Sequence, residues 1–295
     1  MQGQYNESIE AYDRALVLDP NFGPALSNRP NALRALNRSA TSSPRWTVAP
    51  QETIKVMTYN ILIGAGVDPF SEKWAADQGY PGNRLSEVLE VIKTADPDIL
   101  GIQEANGWDK GDPTIIQLVA DELRMSYFIG KGINPDSRVA LLTKFNIKEA
   151  KDYPENYVCG ALKAEVVTPK GRSIQVFVVH FIPPTKPAEE KPEPLKNVPS
   201  NEIYDREVSF LVEKMKPYSN SSIILMGDMN KPPSQLETVL HKANLSLIVA
   251  DPRTHIDSIW VSPALASNRS MTIPGKLTQG TSDHWPVLAE IDIPS

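Results

Sequence analysis

From residue 54 to residue 291 the chain repeats one pattern: short apolar runs, each closed by polar or turn-forming residues, interleaved with a few stretches at helical spacing. Runs of this kind read as buried strands, and there are too many of them for an all-helical fold. Strands are expected over residues 54–59, 98–103, 139–143, 161–167, 174–179, 223–226, 256–261 and 287–291. Three segments have helical periodicity instead: Leu85, Val88, Leu89 and Ile92, closed by Asp96-Pro97; Ile116, Val119 and Leu123; and Tyr204, Val208, Leu211 and Met215. Many strands with few helices predict an α/β (α+β) chain: two sheets packed as a β-sandwich and flanked outside by helices, a four-layer α/β/β/α arrangement. The Pro-, Lys- and Glu-rich stretch 183–199 reads as an exposed loop.

The N-terminus is of another kind. Asn6 is placed to cap a helix with Ile9, Tyr12, Ala15 and Leu16 on one face, stopping at Asp19-Pro20, and a second helix-like stretch follows over residues 24–36. This stretch resembles the second helix of a tetratricopeptide repeat and the start of the next, although Pro30 would kink the latter. Such arrays need about three units to bury a continuous core, and one at most is present. The expectation is a short N-terminal helical hairpin over 1–38, a linker over 39–53 containing Ser39, Thr41, Ser42, Ser43, Pro44 and Pro50, and a main domain over 54–295. A protein partner binding through residues 5–36 stands beside the plainer reading of a docked hairpin.

Composition narrows the function. With 30 basic and 36 acidic side chains the net charge is −6, which argues against tight non-specific binding to duplex DNA but leaves a local basic patch open. The single cysteine, Cys159, allows no intrachain disulfide and reads as a small buried apolar residue. No apolar run approaches the ~20 residues of a membrane span, and no charged-then-apolar leader pattern opens the chain, so a cytoplasmic location is expected.

The strand candidates share a second property. The first runs into Asn60; the second ends in Gln103-Glu104; another ends in His180; 223–226 runs into Gly227-Asp228-Met229-Asn230; Asp257 opens the strand after His255; and Ser282-Asp283-His284 precedes the last. Singly these are a turn asparagine, a surface carboxylate and a core histidine. Together they can gather at one edge of a sandwich, where loops carry sites. Cleaving a phosphate ester needs a hard cation, an activated water and stabilised phosphoryl oxygens. Carboxylate and amide oxygens suit Mg²⁺ or Mn²⁺, whereas no Cys or His cluster has zinc spacing. Asp257 can orient His284 as base or electrostatic partner.

Seven stretches, in order, resemble the endonuclease/exonuclease/phosphatase superfamily, the fold of pancreatic deoxyribonuclease: 57–61, 96–104, 139–145, 179–181, 227–230, 256–259 and 282–284. The resemblance implies that Asn60 and Glu104 hold the metal with Asp283 as a further or water-mediated ligand. It implies that Asp228 positions or deprotonates the attacking water and that Asn230 hydrogen-bonds a phosphoryl oxygen. Asp257 would orient His284, and His180 would contact the phosphate or assist the leaving group. The implied activity is hydrolysis of phosphodiesters, of nuclease or phosphodiesterase type. The alternatives are a small-molecule or lipid phosphomonoesterase, and an inert partner-binding protein. Nucleic acid, small phosphodiesters and lipid headgroups all stay open as substrates. Arg138 departs from the family pattern and reads as a strand-edge cation rather than a phosphate contact. The segment 64–83, with Trp74 and Tyr80, is expected at the rim.

Overall fold

The computed structural model describes residues 52–273 and 275–294, together with Ala11. The expected hairpin, apart from Ala11, and the linker up to Gln51 lie outside the described residues.

The described residues form twelve strands: β1 (Glu52–Asn60), β2 (Ile99–Gln103), β3 (Ser126–Lys131), β4 (Arg138–Thr143), β5 (Asn146–Asp152), β6 (Gly160–Val167), β7 (Ser173–His180), β8 (Ser222–Asp228), β9 (Ser246–Ala250), β10 (Asp257–Val261), β11 (Ala266–Thr272) and β12 (Val287–Ile293). The α-helices are α1 (Pro69–Asp77), α2 (Leu85–Ala95), α3 (Ile115–Leu123), α4 (Ser200–Met215), α5 (Pro233–Lys242) and the single turn α6 (Gly275–Thr278). One sheet has the order β11-β12-β1-β2-β4-β3, the other β5-β6-β7-β8-β10-β9. All neighbours are antiparallel except β1/β2 and β7/β8. Parallel neighbours need a crossover long enough to return the chain to its starting edge, and α2 and α4 lie in those two connections.

Three cores make four layers. Val56, Ile99, Val139 and Leu141 of the first sheet meet Leu162, Val176, Val178, Ile224 and Met226 of the second. The opposite faces turn outward. Met57, Tyr59, Leu100 and Ile102 pack on Val88, Leu89 and Ile92 of α2 and Ile116 and Val119 of α3. Phe177, Val179, Leu225 and Trp260 pack on Tyr204, Val208, Leu211 and Met215 of α4 and on Leu236 and Leu240 of α5. Each fully buried Val, Leu or Ile is worth about 1.5–3 kcal/mol of transfer free energy. Covered on both faces, β2 and β4 are buried at every position, which is why they read as continuous apolar runs.

The stretch 183–199 is less open than expected. It contains two 3-10 turns, Ala188–Glu190 and Glu193–Leu195, and buries Lys191, whose ammonium donates to the carbonyl of Val198. Cys159 is buried as expected, just before β6, and burial pushes its thiol well above the usual range. No described helix is long and apolar enough to cross a membrane.

Candidate active site

Strand register brings the polar strand ends together. Across the parallel pairs Asn60 faces Gln103 and His180 faces Asp228, and across β8/β10 Asp228 faces Asp257. Two backbone features fix the approach. Gly227 has φ 148°, and a Cβ there would stand 1.9 Å from the Val179 carbonyl oxygen; only glycine lets β8 lie this close to β7. Leu62, Ile63, Gly64, Ala65 and Gly66 all have positive φ, winding the chain after β1 into a tight left-handed turn.

Glu104, itself at φ 58°, holds that turn. Its Oε2 accepts the Ile63 N–H at 2.7 Å, its Oε1 accepts Asn60 Nδ2 at 3.2 Å, and its carbonyl accepts the Gly64 N–H at 2.6 Å. Asn60 is buried. Its Oδ1 accepts the Leu62 N–H at 3.1 Å, and its Nδ2 also reaches Asp228 Oδ2 at 3.1 Å, bridging the two sheets. The same Asp228 oxygen lies 3.5 Å from His180 Nε2 and 3.9 Å from His284 Nε2. The other, Oδ1, accepts the Asn230 N–H at 2.8 Å, and Asn230 Nδ2 donates to the Phe181 carbonyl at 2.8 Å.

Asp257 is fully buried, with Oδ2 2.6 Å from His284 Nδ1 and Oδ1 lacking any partner. Burial lifts the Asp257 carboxyl while His284 pulls it back. Burial also disfavours an imidazolium at His284. The carboxylates of Asp257, Asp228 and Asp283 outweigh that penalty, so His284 is raised well above its ordinary value and carries the proton. The turn bearing His284 is fastened to β1 by Ser282, whose hydroxyl donates to the Asn60 carbonyl at 2.7 Å and accepts the His284 N–H at 3.1 Å.

Asn60, Glu104, His180, Asp228, Asn230, Asp257 and His284 therefore form one contiguous cluster. Asp283 stands beside His284 on the side of Tyr80 and Arg84, whose titration it perturbs, and makes no hydrogen bond to Glu104 or Asn60. His241 and His255 are exposed, outside the cluster. Arg138 lies outside the cluster and is engaged within the fold. It is buried, pairs with Asp109 at 2.9 Å, and donates to the carbonyls of Pro135 and Ser137.

Two kinds of donor set are present. Asn60, Glu104 and Asp283 carry amide or carboxylate oxygens, the chemistry a hard divalent cation takes, although it is the Asn60 Nδ2 that faces Glu104 here. Asp228, Asp257 and His284 each offer a ligand atom within 4.8 Å of the others, but the 2.6 Å bond already engages Asp257 with His284.

Sequence reasoning gave no role to Arg84, a buried guanidinium that donates to the carbonyls of Leu62, Pro81, Gly82 and Thr281 and so ties the turn after β1 to the segment before Asp283. Nothing in the sequence marks it, because its partners are main-chain oxygens. The rim expectation for segment 64–83 resolves into two recesses. Trp74 lines one of about 670 Å³ with Phe70, Ile63 and Asn106, and Tyr80 lines another of about 490 Å³ with Ser282 and Trp285.

No curated protein matches the chain. Among solved structures, an endonuclease/exonuclease/phosphatase family protein from Bacteroides thetaiotaomicron superposes with a TM-score of 0.62 at 17% identity, covering 84% of this chain and 100% of that one. ANGEL2, described as a 2′,3′-cyclic phosphatase, gives 0.61 at 14% identity over 85% of this chain and 99% of its own. The human Nocturnin catalytic domain gives 0.58 at 17% over 82% and 97%. At these identities the likeness speaks for the fold. Residues 57–284 match the family profile itself. The chain thus belongs to the Endonuclease/Exonuclease/phosphatase family, whose members are phosphoric ester hydrolases.

Proposed function

We propose that this chain hydrolyses phosphodiester bonds with a divalent cation, Mg²⁺ or Mn²⁺, by attack of water on phosphorus. The observation that carries the reading is the position of Asp228 Oδ2, within 4 Å of Asn60 from one sheet, His180 from the other, and His284 from the turn before β12. One buried carboxylate oxygen among an amide and two imidazoles suits a group that orients a water and takes its proton.

The other roles follow from the donors left over. Asn60, Glu104 and Asp283 would hold the cation, which when bound supplies Lewis-acid polarisation of a phosphoryl oxygen. Asn230 spends one amide hydrogen on the Phe181 carbonyl and keeps the second for a phosphoryl oxygen. His284, held protonated by Asp257, neutralises charge that builds on phosphorus-bound oxygen. His180 Nε2 contacts the phosphate or assists departure of the ester oxygen. Diester is favoured over monoester because recesses flank the cluster, one reached through Ile63 and Asn106, the other through Ser282 and Trp285. Each can receive one arm of a diester.

The test is turnover of bis(p-nitrophenyl) phosphate beside p-nitrophenyl phosphate, with Mg²⁺, with Mn²⁺ and with chelator, for the natural chain and Glu104→Ala. Metal-dependent diester turnover that Glu104→Ala abolishes is the expected result. Preference for the monoester overturns the diester assignment. Turnover that survives chelation or Glu104→Ala overturns the metal assignment.

A further inference from the structure

The recess beside His284 differs in charge from its counterpart. Its lining residues include Tyr80, Arg253, Gln279, Ser282 and Trp285, and none of them is acidic. The recess on the Glu104 side carries Asp68, Asp136 and Glu190 against Lys110 and Lys186. Arg253 is the cation of the His284 side. Its guanidinium is exposed and lies over the Trp285 ring, 5.5 Å from the centroid, and among the described residues it has no ion-pair partner. The loop that presents it is not loose. The buried Asp251 accepts the N–H groups of Arg253 and Thr254 at 2.9 and 3.0 Å, and the Asp251 N–H is in turn bonded to the Asp257 carbonyl at 2.9 Å. Arg84, the other guanidinium nearby, is buried and committed to four carbonyls.

A guanidinium stacked on an aromatic face keeps its in-plane N–H donors unblocked, and that fork matches a phosphate. The aromatic rings are less suited to a base. Trp285 carries Arg253 on one face and Tyr80 carries Arg84 at 5.8 Å, so each has a face already covered by a cation. The cluster next door holds the carboxylates of Glu104, Asp228, Asp257 and Asp283, which would repel an added anion unless a local cation received it.

We propose that this recess binds a second phosphate of the substrate, on the arm of the ester that extends past His284, with Arg253 as the anchoring residue. The proposal rests on the phosphodiesterase reading and names its substrate class: a phosphodiester that bears a further phosphomonoester. That chemistry occurs in nucleotides and in phosphorylated polyol headgroups.

Calorimetric titration of the full chain in Mg²⁺ compares thymidine 3′,5′-bisphosphate with thymidine 5′-monophosphate, and inositol 1,4-bisphosphate with inositol 1-phosphate. A charge-assisted bidentate contact predicts that the second phosphate tightens binding by about tenfold to a hundredfold in one of the two pairs, and that pair identifies the source. Arg253→Met, which leaves the apolar contact with Trp285 but no charge, is expected to bring that ratio to about one while monophosphate binding stays within about twofold. An advantage that persists in Arg253→Met, or no advantage in either pair, overturns the proposal. A natural chain that shows the binding ratio but no metal-dependent turnover would sink the hydrolase reading and leave the recess standing.

Discussion

Glu207 lies in the middle of α4, buried against the second sheet, and its carboxylate accepts the Val158 N–H at 2.7 Å and the Ile182 N–H at 2.8 Å. Ile182 follows His180 by two residues, and Val158 precedes Gly160, the register partner of His180. The side chain is thus a strut behind the site end of β7. Two N–H donors favour the carboxylate, but burial outweighs them and pushes the group up to about 8 from 4.5. Between those values the folded chain keeps a proton that the unfolded chain has released, so stability falls as pH rises through the window. The slope is about 1.4 kcal/mol per pH unit, and the full window amounts to about 4–5 kcal/mol.

Glu207→Gln is neutral at every pH. Its amide has one oxygen for two donors, so one buried N–H is orphaned at a cost of about 1–3 kcal/mol. The variant should therefore be the less stable protein at pH 5 and the more stable one at pH 9, with a crossing between. Urea unfolding of both proteins at pH 5, 6, 7, 8 and 9 measures this, because groups common to both cancel in the difference. A difference that stays flat from pH 5 to pH 8 would show that Glu207 is ionised in the fold, and the burial argument would be wrong.

Gly227→Ala must separate β7 from β8, since the new Cβ meets a backbone oxygen at 1.9 Å. A loss of about 3 kcal/mol or more is expected by chemical denaturation, with diester turnover falling in the same protein because His180 and Asp228 no longer align. Asp228→Asn keeps an acceptor for the Asn230 N–H but loses the bond from Asn60 Nδ2 and supplies no base; turnover should drop by about 10²–10⁴, with a stability loss of about 1–3 kcal/mol in urea unfolding. A fully active Asp228→Asn protein would remove Asp228 from the proposed role. Arg84→Met orphans four carbonyls and should cost on the order of 3 kcal/mol in urea unfolding.

The interior strands were legible in the sequence and the edges were not. Strands β1, β2, β4, β6, β7, β8, β10 and β12 were anticipated within a few residues at each end, because burial on both faces writes apolar runs into them. The four that escaped, β3, β5, β9 and β11, are the four sheet edges. β5 shows the reason: Asn146-Ile147-Lys148-Glu149-Ala150-Lys151-Asp152 leaves no residue fully buried, and charge on an edge strand discourages pairing with other chains. The candidate cluster was legible for a related reason. A polar residue placed at the end of an apolar run stands out, as with Asn60, His180 and Asp228. Arg84, Glu207 and Ser282 do not stand out, because what they bind is main chain brought close only by the fold.

The two sheets are alike in plan, and that likeness accounts for where the candidate cluster sits. Each has a parallel pair near its middle joined by a crossover that carries a helix, β1/β2 in one and β7/β8 in the other, and these pairs pack on each other across the central core. Parallel neighbours end at a common edge, so one pair delivers Asn60 and Glu104 to the place where the other delivers His180 and Asp228. Neither sheet holds a whole site. The Asn60 to Asp228 bond joins one sheet to the other, and His284, leading into a strand of the first sheet, closes the arrangement by binding Asp257 of the second. The cluster therefore exists only once the sandwich has docked. A cation or phosphate ester that binds there must stabilise the packed sheets relative to the unfolded chain, because only the docked state offers the full set of donors.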